Sequence, residues 1–83
     1  MLRAIPIRAE TVGQAFQQQL AATYALKSKA KRKAEFNRMK RTLIGLRLVP
    51  VNFDIVYIAW GVDKNGCETI VVTGDDRDTP ATA

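Results

Sequence analysis

The stretch KSKAKRKAEFNRMKRTLIGLR, residues 27–47, decides how this chain is organised. It holds nine of the thirteen lysines and arginines and one acidic residue, Glu35, so its local charge is +8. Residues 1–26 carry +1 and residues 48–83 carry −4, which together give the net charge of +5. Such a concentration of positive charge attracts polyanions, above all the phosphate backbone of nucleic acids.

Two apolar stripes at helical spacing run up to and through this segment. They comprise Val12, Phe16, Leu20 and Tyr24, and then Phe36, Met39 and Leu43. On one unbroken helix the stripes would face nearly opposite ways, because sixteen steps of about 100° from Leu20 to Phe36 leave a rotation of roughly 160°. We therefore expect a helical pair that breaks near residues 28–32, with Ser28 as the N-cap of the second helix. The alternative is one long kinked helix whose second apolar side is buried by another copy of the chain in a homodimer.

Strands are predicted on both sides of the helical region. Residues 1–7 (MLRAIPI) have the character of an edge strand, because Pro6 cannot donate a hydrogen bond to a neighbouring strand. Gly45 is expected to end the helical region as the residue beyond its C-cap, and residues 46–51 (LRLVPV) to be extended. Residues 53–60 (FDIVYIAW) are apolar on both faces of the strand after Asp54, which is typical of a covered central strand.

The dipeptide Asn65-Gly66 is the strongest local signal in the chain. It lies between two apolar runs and favours a two-residue type I′ turn, because both residues tolerate a positive φ. A hairpin with this loop would place Trp60 opposite Val71. The return strand is expected over residues 68–73.

These elements predict an α+β fold: a helical pair, or one long kinked helix, packed on a three- to four-stranded antiparallel sheet with a C-terminal β-hairpin. Residues 1–74 would form a single small domain, and residues 75–83 (DDRDTPATA) a flexible acidic C-terminal tail. No apolar run approaches the roughly 18–20 residues that a membrane helix needs. With one cysteine, Cys67, no intramolecular disulfide can form, so a cytoplasmic location is expected.

The candidate binding residues lie on one side of a helix drawn through the basic segment. Lys27, Lys31, Arg38 and Arg41 fall within an arc of about 80°, opposite the second apolar stripe. A row of cations pushed outward in this way can follow phosphates, and Asn37 beside it can reach base edges. The secondary basic positions are Lys29, Arg32, Lys33, Lys40 and Arg47. A plainly solvated face, or contact with an acidic protein surface, is the alternative interpretation.

The composition restricts the chemistry that the chain can perform. Histidine is absent, which excludes a Ser-His or Cys-His pair, a histidine base and any histidine metal ligand. No phosphate-binding glycine motif occurs, and we expect no catalytic residues, no cofactor and no metal site. The aromatic residues can stack on bases, as in proteins that bind single strands. Helix and strand spacing assigns most of them to the core, with Trp60, close to the mouth of the hairpin, as the expected exception.

One family resemblance follows from the order of the elements. A strand, two helices and three antiparallel strands resemble the layout of the RelE/ParE toxins. The run FDIVYIAW, a turn, ETIVVTG and then Arg77 is similar to the closing strands of those ribosome-dependent RNases and gyrase poisons. The similarity covers roughly residues 53–77 and is one of residue types. It implies RNA cleavage or growth arrest as an alternative activity, with Arg77 near an expected arginine.

The sequence predicts a small non-enzymatic accessory protein, a regulator or inhibitor, of the kind that mobile elements carry. Its basic helix face would bind nucleic acid, DNA or RNA, or a nucleoprotein complex. A RelE/ParE-like toxin is the second hypothesis. An inhibitor that binds an acidic protein surface and ignores free nucleic acid is the third. Binding to nucleic acid at increasing salt concentration separates the first hypothesis from the third.

Overall fold

The computed structural model describes residues 2–76, in which the chain forms β1 (Leu2–Arg8), α1 (Ala9–Tyr24), α2 (Lys29–Gly45), β2 (Phe53–Val62) and β3 (Glu68–Asp76). The strands pair antiparallel in the order β1-β3-β2. Both helices contribute to the core of this three-stranded sheet, so the α+β class is confirmed. As the position of Pro6 predicted, β1 lies at an edge of the sheet.

The opposed apolar stripes predicted a break near residues 28–32, and the chain breaks slightly earlier, at residues 25–28. Ser28 caps α2, and its hydroxyl oxygen accepts a hydrogen bond of 3.3 Å from the Lys31 backbone N–H. The break brings both stripes into one core, where Phe16, Leu20, Phe36 and Leu43 are each 4% exposed or less. A single chain therefore buries both stripes.

The C-terminal end of α2 differs from the prediction. Arg47, with φ of 60°, takes the left-handed position that was expected of Gly45. Its N–H donates to the Ile44 carbonyl and the Leu48 N–H donates to the Leu43 carbonyl, each at 2.9 Å, which is the Schellman pattern. These bonds fold the chain back on the helix, so residues 46–51 form turns and the extended segment predicted there was wrong.

The central strand is β3, and the prediction that residues 53–60 form the central strand was also wrong. A β-bulge between Ile55 and Tyr57 shifts the alternation of side chains along β2. Ile55 before the bulge and Ile58 after it are both buried, whereas Val56 and Tyr57 are 42% and 46% exposed. The run is therefore apolar because the bulge changes which residues of this edge strand face the core.

The β2–β3 hairpin turns at Asn-Gly, but its register is offset by one residue from the prediction. Trp60 lies opposite Ile70, because the loop has three residues between the paired Asp63 and Cys67. Gly66 has φ of 81°, while Asn65 does not have the positive φ that a type I′ turn requires. The Asp63 carboxylate accepts the N–H groups of Asn65 and Cys67 at 2.8 and 2.9 Å, and this side-chain turn selects the longer loop.

Strand β3 continues through Asp75 and Asp76, the first two residues of the predicted tail. Asp75 lies opposite both Leu2 of β1 and Asp54 of β2, so the sheet extends at least that far. The rest of the predicted tail, residues 77–83, lies outside the described residues.

Candidate nucleic-acid interface

Helix α2 lies along the outer edge of β2 and completes its hydrogen bonds. An edge strand leaves alternate backbone N–H and C=O groups without a neighbour. The Asn37 amide pairs with both such groups of Ile55: Nδ2 donates to the carbonyl at 2.9 Å, and Oδ1 accepts the N–H at 3.1 Å. Lys40 Nζ donates to the Phe53 carbonyl at 2.8 Å.

Asn37 is therefore a structural residue of the contact between helix and strand. Its Nδ2 also donates to the Lys33 carbonyl at 3.0 Å, so both amide hydrogens are used within the chain. An amide committed to the main chain in this way is not free to read the edge of a base. We drop the predicted contact of Asn37 with bases.

Three further cations of the basic segment have partners within the protein. The Arg32 guanidinium donates to the Leu26 carbonyl, which ties the start of α2 to the preceding turn. Lys33 Nζ lies 3.6 Å from the Asp54 carboxylate. Arg38 Nη1 lies 2.9 Å from Glu35 Oε1, one helical turn earlier, although the Arg38 side chain remains 75% exposed. The local charge of +8 on residues 27–47 is therefore only partly available to a ligand.

The outward side of α2 carries Lys31, Arg38 and Arg41, all exposed. At about 100° per residue these three fall within an arc of about 80°. They lie on the side of the helix away from its buried residues, Phe36, Met39 and Leu43. We call these three residues the outward row. Lys27, the fourth predicted member, lies before the helix in the turn between α1 and α2.

The remaining cations extend this surface at both ends of α2. Lys29 is the first residue of the helix and is exposed, and Arg47 lies just beyond its last residue. Within the described part of the chain, a group of exposed cations has no ion pair or side-chain hydrogen bond: Lys27, Lys29, Lys31, Arg41 and Arg47. These side chains can bind a ligand without first breaking an internal contact.

The start of α2 is unusually positive for the beginning of a helix. The positive end of the helix dipole lies there, and cations near it are unfavourable by about 0.3–1 kcal/mol each. Lys29, Lys31 and Arg32 nevertheless occupy the first turn and its edge, and no acidic residue lies in that turn. The local positive potential is therefore raised by the helix itself.

An open depression of about 720 Å³ borders the outward row. Its lining combines three cations, Arg38, Lys40 and Arg41, with neutral side chains: Gln19, Ala34, Asn37 and Ile44. Because none of these residues is acidic, an anionic group meets no like charge from the lining.

A second depression, of about 510 Å³, lies where α1 ends beside the outer edge of β2. We call it the aromatic cleft, and it is lined by Tyr24, Arg32, Tyr57, Ala59 and Trp60. Trp60 was the aromatic residue expected to be accessible and is half-buried, whereas Tyr57 is 46% exposed. Strand spacing assigned Tyr57 to the core, and its exposure was missed because it depends on the bulge in β2.

The Tyr24 hydroxyl is fixed in the wall of the aromatic cleft. It donates a hydrogen bond to the Ile58 carbonyl at the strand edge. Burial, reinforced by the nearby Tyr57, raises the pKa of Tyr24 to about 12. The hydroxyl therefore stays protonated near neutral pH and keeps donating to the strand.

Comparison of the chain with protein-family models, with curated proteins and with solved structures gives no significant match. The RelE/ParE resemblance expects three strands after the helices, and residues 2–76 contain two. Arg77, the arginine that the resemblance singled out, lies outside the described residues. No helix within those residues is long and apolar enough to cross a membrane.

Proposed function

We propose that this chain is a small accessory protein that binds nucleic acid, alone or within a nucleoprotein complex, through the outward row of α2. The observation that supports the proposal is the separation of cations on this helix. Lys33 and Lys40 both contact β2. Lys31 and Arg41, by contrast, are exposed and have no ion pair within residues 2–76. Phosphates are the ligands that such a row of exposed cations fits best.

The scarcity of acidic residues on α2 favours this function over a merely solvated face. Solvated helices usually mix charges of both signs, with pairs three or four residues apart. On α2 the only acidic residue is Glu35, which shares a depression with α1 residues and contacts Arg38. Lys29 and Lys31 also oppose the helix dipole, and a cation kept where it reduces helix stability is more readily explained by binding than by folding.

The test is the dependence of binding on salt. Each phosphate contact adds about 0.9 to the slope of log K against log salt concentration on duplex DNA. Replacing Arg38 and Arg41 together with glutamine is expected to weaken binding to all duplex sequences and to flatten that slope by about 1.8. Fluorescence anisotropy with a labelled duplex at a series of salt concentrations measures both effects.

A charge-matched control separates the outward row from net charge alone. Arg8→Gln with Lys64→Gln removes the same two charges from exposed positions away from α2, and it should leave the slope close to that of the parent. Equal slopes for the two double variants would show that the outward row makes no specific contact. If the parent binds no nucleic acid even at low salt, an acidic protein surface replaces nucleic acid as the partner.

A further inference from the structure

The aromatic cleft has features that phosphate binding by α2 does not explain. Tyr57 is 46% exposed and is one of the large hydrophobic residues that the fold leaves accessible. Its neighbours hold it in place: the ring centroids of Phe36 and Tyr24 lie 5.4 and 6.2 Å away. An exposed aromatic ring supported from behind offers a flat and rigid surface to a ligand.

The charge around the cleft selects an anionic ligand. Arg32 is part of the lining, its guanidinium fixed by the Leu26 carbonyl, and no acidic residue lines the cleft. Lys31 of the outward row directly precedes Arg32 in the chain, and Lys29 lies three residues before Arg32. A ligand that places a planar ring on Tyr57 and a negative charge toward the start of α2 matches this arrangement.

We infer that the aromatic cleft binds an unpaired base of a nucleic-acid strand, so that the preferred ligand is single-stranded. A base held in a duplex is stacked on its neighbours and cannot lie on a protein side chain, whereas a single strand can place its base there while its phosphates follow the cations. The inference rests on the proposed function and names the class of nucleic acid.

Trp60 lines the cleft and is the only tryptophan in the sequence, so its fluorescence reports on this place alone. The full chain is titrated with short oligothymidine, with an abasic strand of the same length and charge, and with a duplex. A uridine RNA strand forms a further arm. The base-bearing strands are expected to change the Trp60 emission and to bind about tenfold more tightly than the abasic strand. DNA and RNA arms identify which single strand is preferred.

Variants of Tyr57 test the stacking surface directly. Tyr57→Ala is expected to weaken single-strand binding about tenfold and to leave duplex binding unchanged, and Tyr57→Phe, which keeps the ring, should bind like the parent. Thermal unfolding of each variant verifies that it is folded. If Tyr57→Ala fails to fold, Tyr57→Phe is titrated instead, and it must still bind base-bearing strands more tightly than abasic strands.

The outcomes separate this inference from the proposed function. If the duplex binds with the expected salt slope, but the base-bearing and abasic strands bind equally or Trp60 emission does not change, the cleft does not bind a base and the proposed function stands. If no strand or duplex binds at low salt, both fail. Equal weakening of duplex and single-strand binding by a folded Tyr57→Ala variant would also overturn the inference, because Tyr57 would then not distinguish a single strand from a duplex.

Discussion

Two sides of α2 both carry basic residues, but one side contacts β2 and the other is exposed. On the side toward β2, Lys33, Asn37 and Lys40 hold the outer edge of the strand through an ion pair and hydrogen bonds to backbone. On the outward side, Lys31 and Arg41 make no ion pair and no side-chain hydrogen bond within residues 2–76. A run of basic residues is therefore not a single site, and only the geometry of the helix on the sheet divides it.

The largest expected effect on this comparison comes from Asn37→Ala. Both backbone groups of Ile55 would lose their partner at a partly buried edge, and stability should fall by about 2 kcal/mol. Chemical denaturation measures the difference. Arg41→Ala on the same helix is the control and should change stability by less than about 0.5 kcal/mol, because its side chain is exposed. Equal losses in the two variants would contradict the division of α2 into two sides.

A second prediction concerns Tyr24, whose hydroxyl donates a hydrogen bond to the Ile58 carbonyl at the outer edge of β2. Its pKa is raised from 10.0 to about 12, so the unfolded chain ionises first, and the stabilisation by Tyr24 is present below pH 10 and lost as the pH rises toward 12. Tyr24→Phe should cost about 1 kcal/mol at neutral pH through the lost hydrogen bond. The difference in stability between parent and variant should shrink over that pH range.

Denaturation of both proteins at a series of alkaline pH values measures this difference. All other side chains are common to the two proteins, so the subtraction isolates Tyr24. A difference that stays constant up to pH 12 would mean that the hydroxyl is not held in the buried state that raises its pKa.

The helical pair was predictable because its cause is local. The rotation between the two apolar stripes and the cap at Ser28 can both be read from spacing, and both are found. The hairpin register was not predictable from Asn65-Gly66 alone, because the Asp63 carboxylate selects a longer loop. The bulge in β2 leaves only an apolar run in the sequence, which a covered strand would also produce.

Part of the geometry of the candidate site was predictable for a similar reason, and its binding role stays a prediction. Helical spacing places Lys31, Arg38 and Arg41 together whatever the helix packs against. The role of Asn37 depends on which strand lies beside α2 and on which backbone groups of that strand are unpaired. Both depend on the tertiary structure. In a sequence, an asparagine next to a row of cations looks the same whether it binds a base or the backbone of a strand.

The smallest expected effect is also the most informative about the outward row. Lys31 is three residues after the cap Ser28, the position where a glutamate would complete a capping box and interact favourably with the helix dipole. Lys31→Glu should therefore raise stability by about 0.5 kcal/mol while weakening the binding of nucleic acid. Lys64→Glu, an equal change of charge at an exposed hairpin position, should give neither effect. A gain in stability with unchanged binding would show that Lys31 does not touch the ligand, whereas a loss of stability would show that the lysine serves the fold. The opposite movement of stability and binding is expected only if the chain keeps a cation at the start of α2 for its ligand.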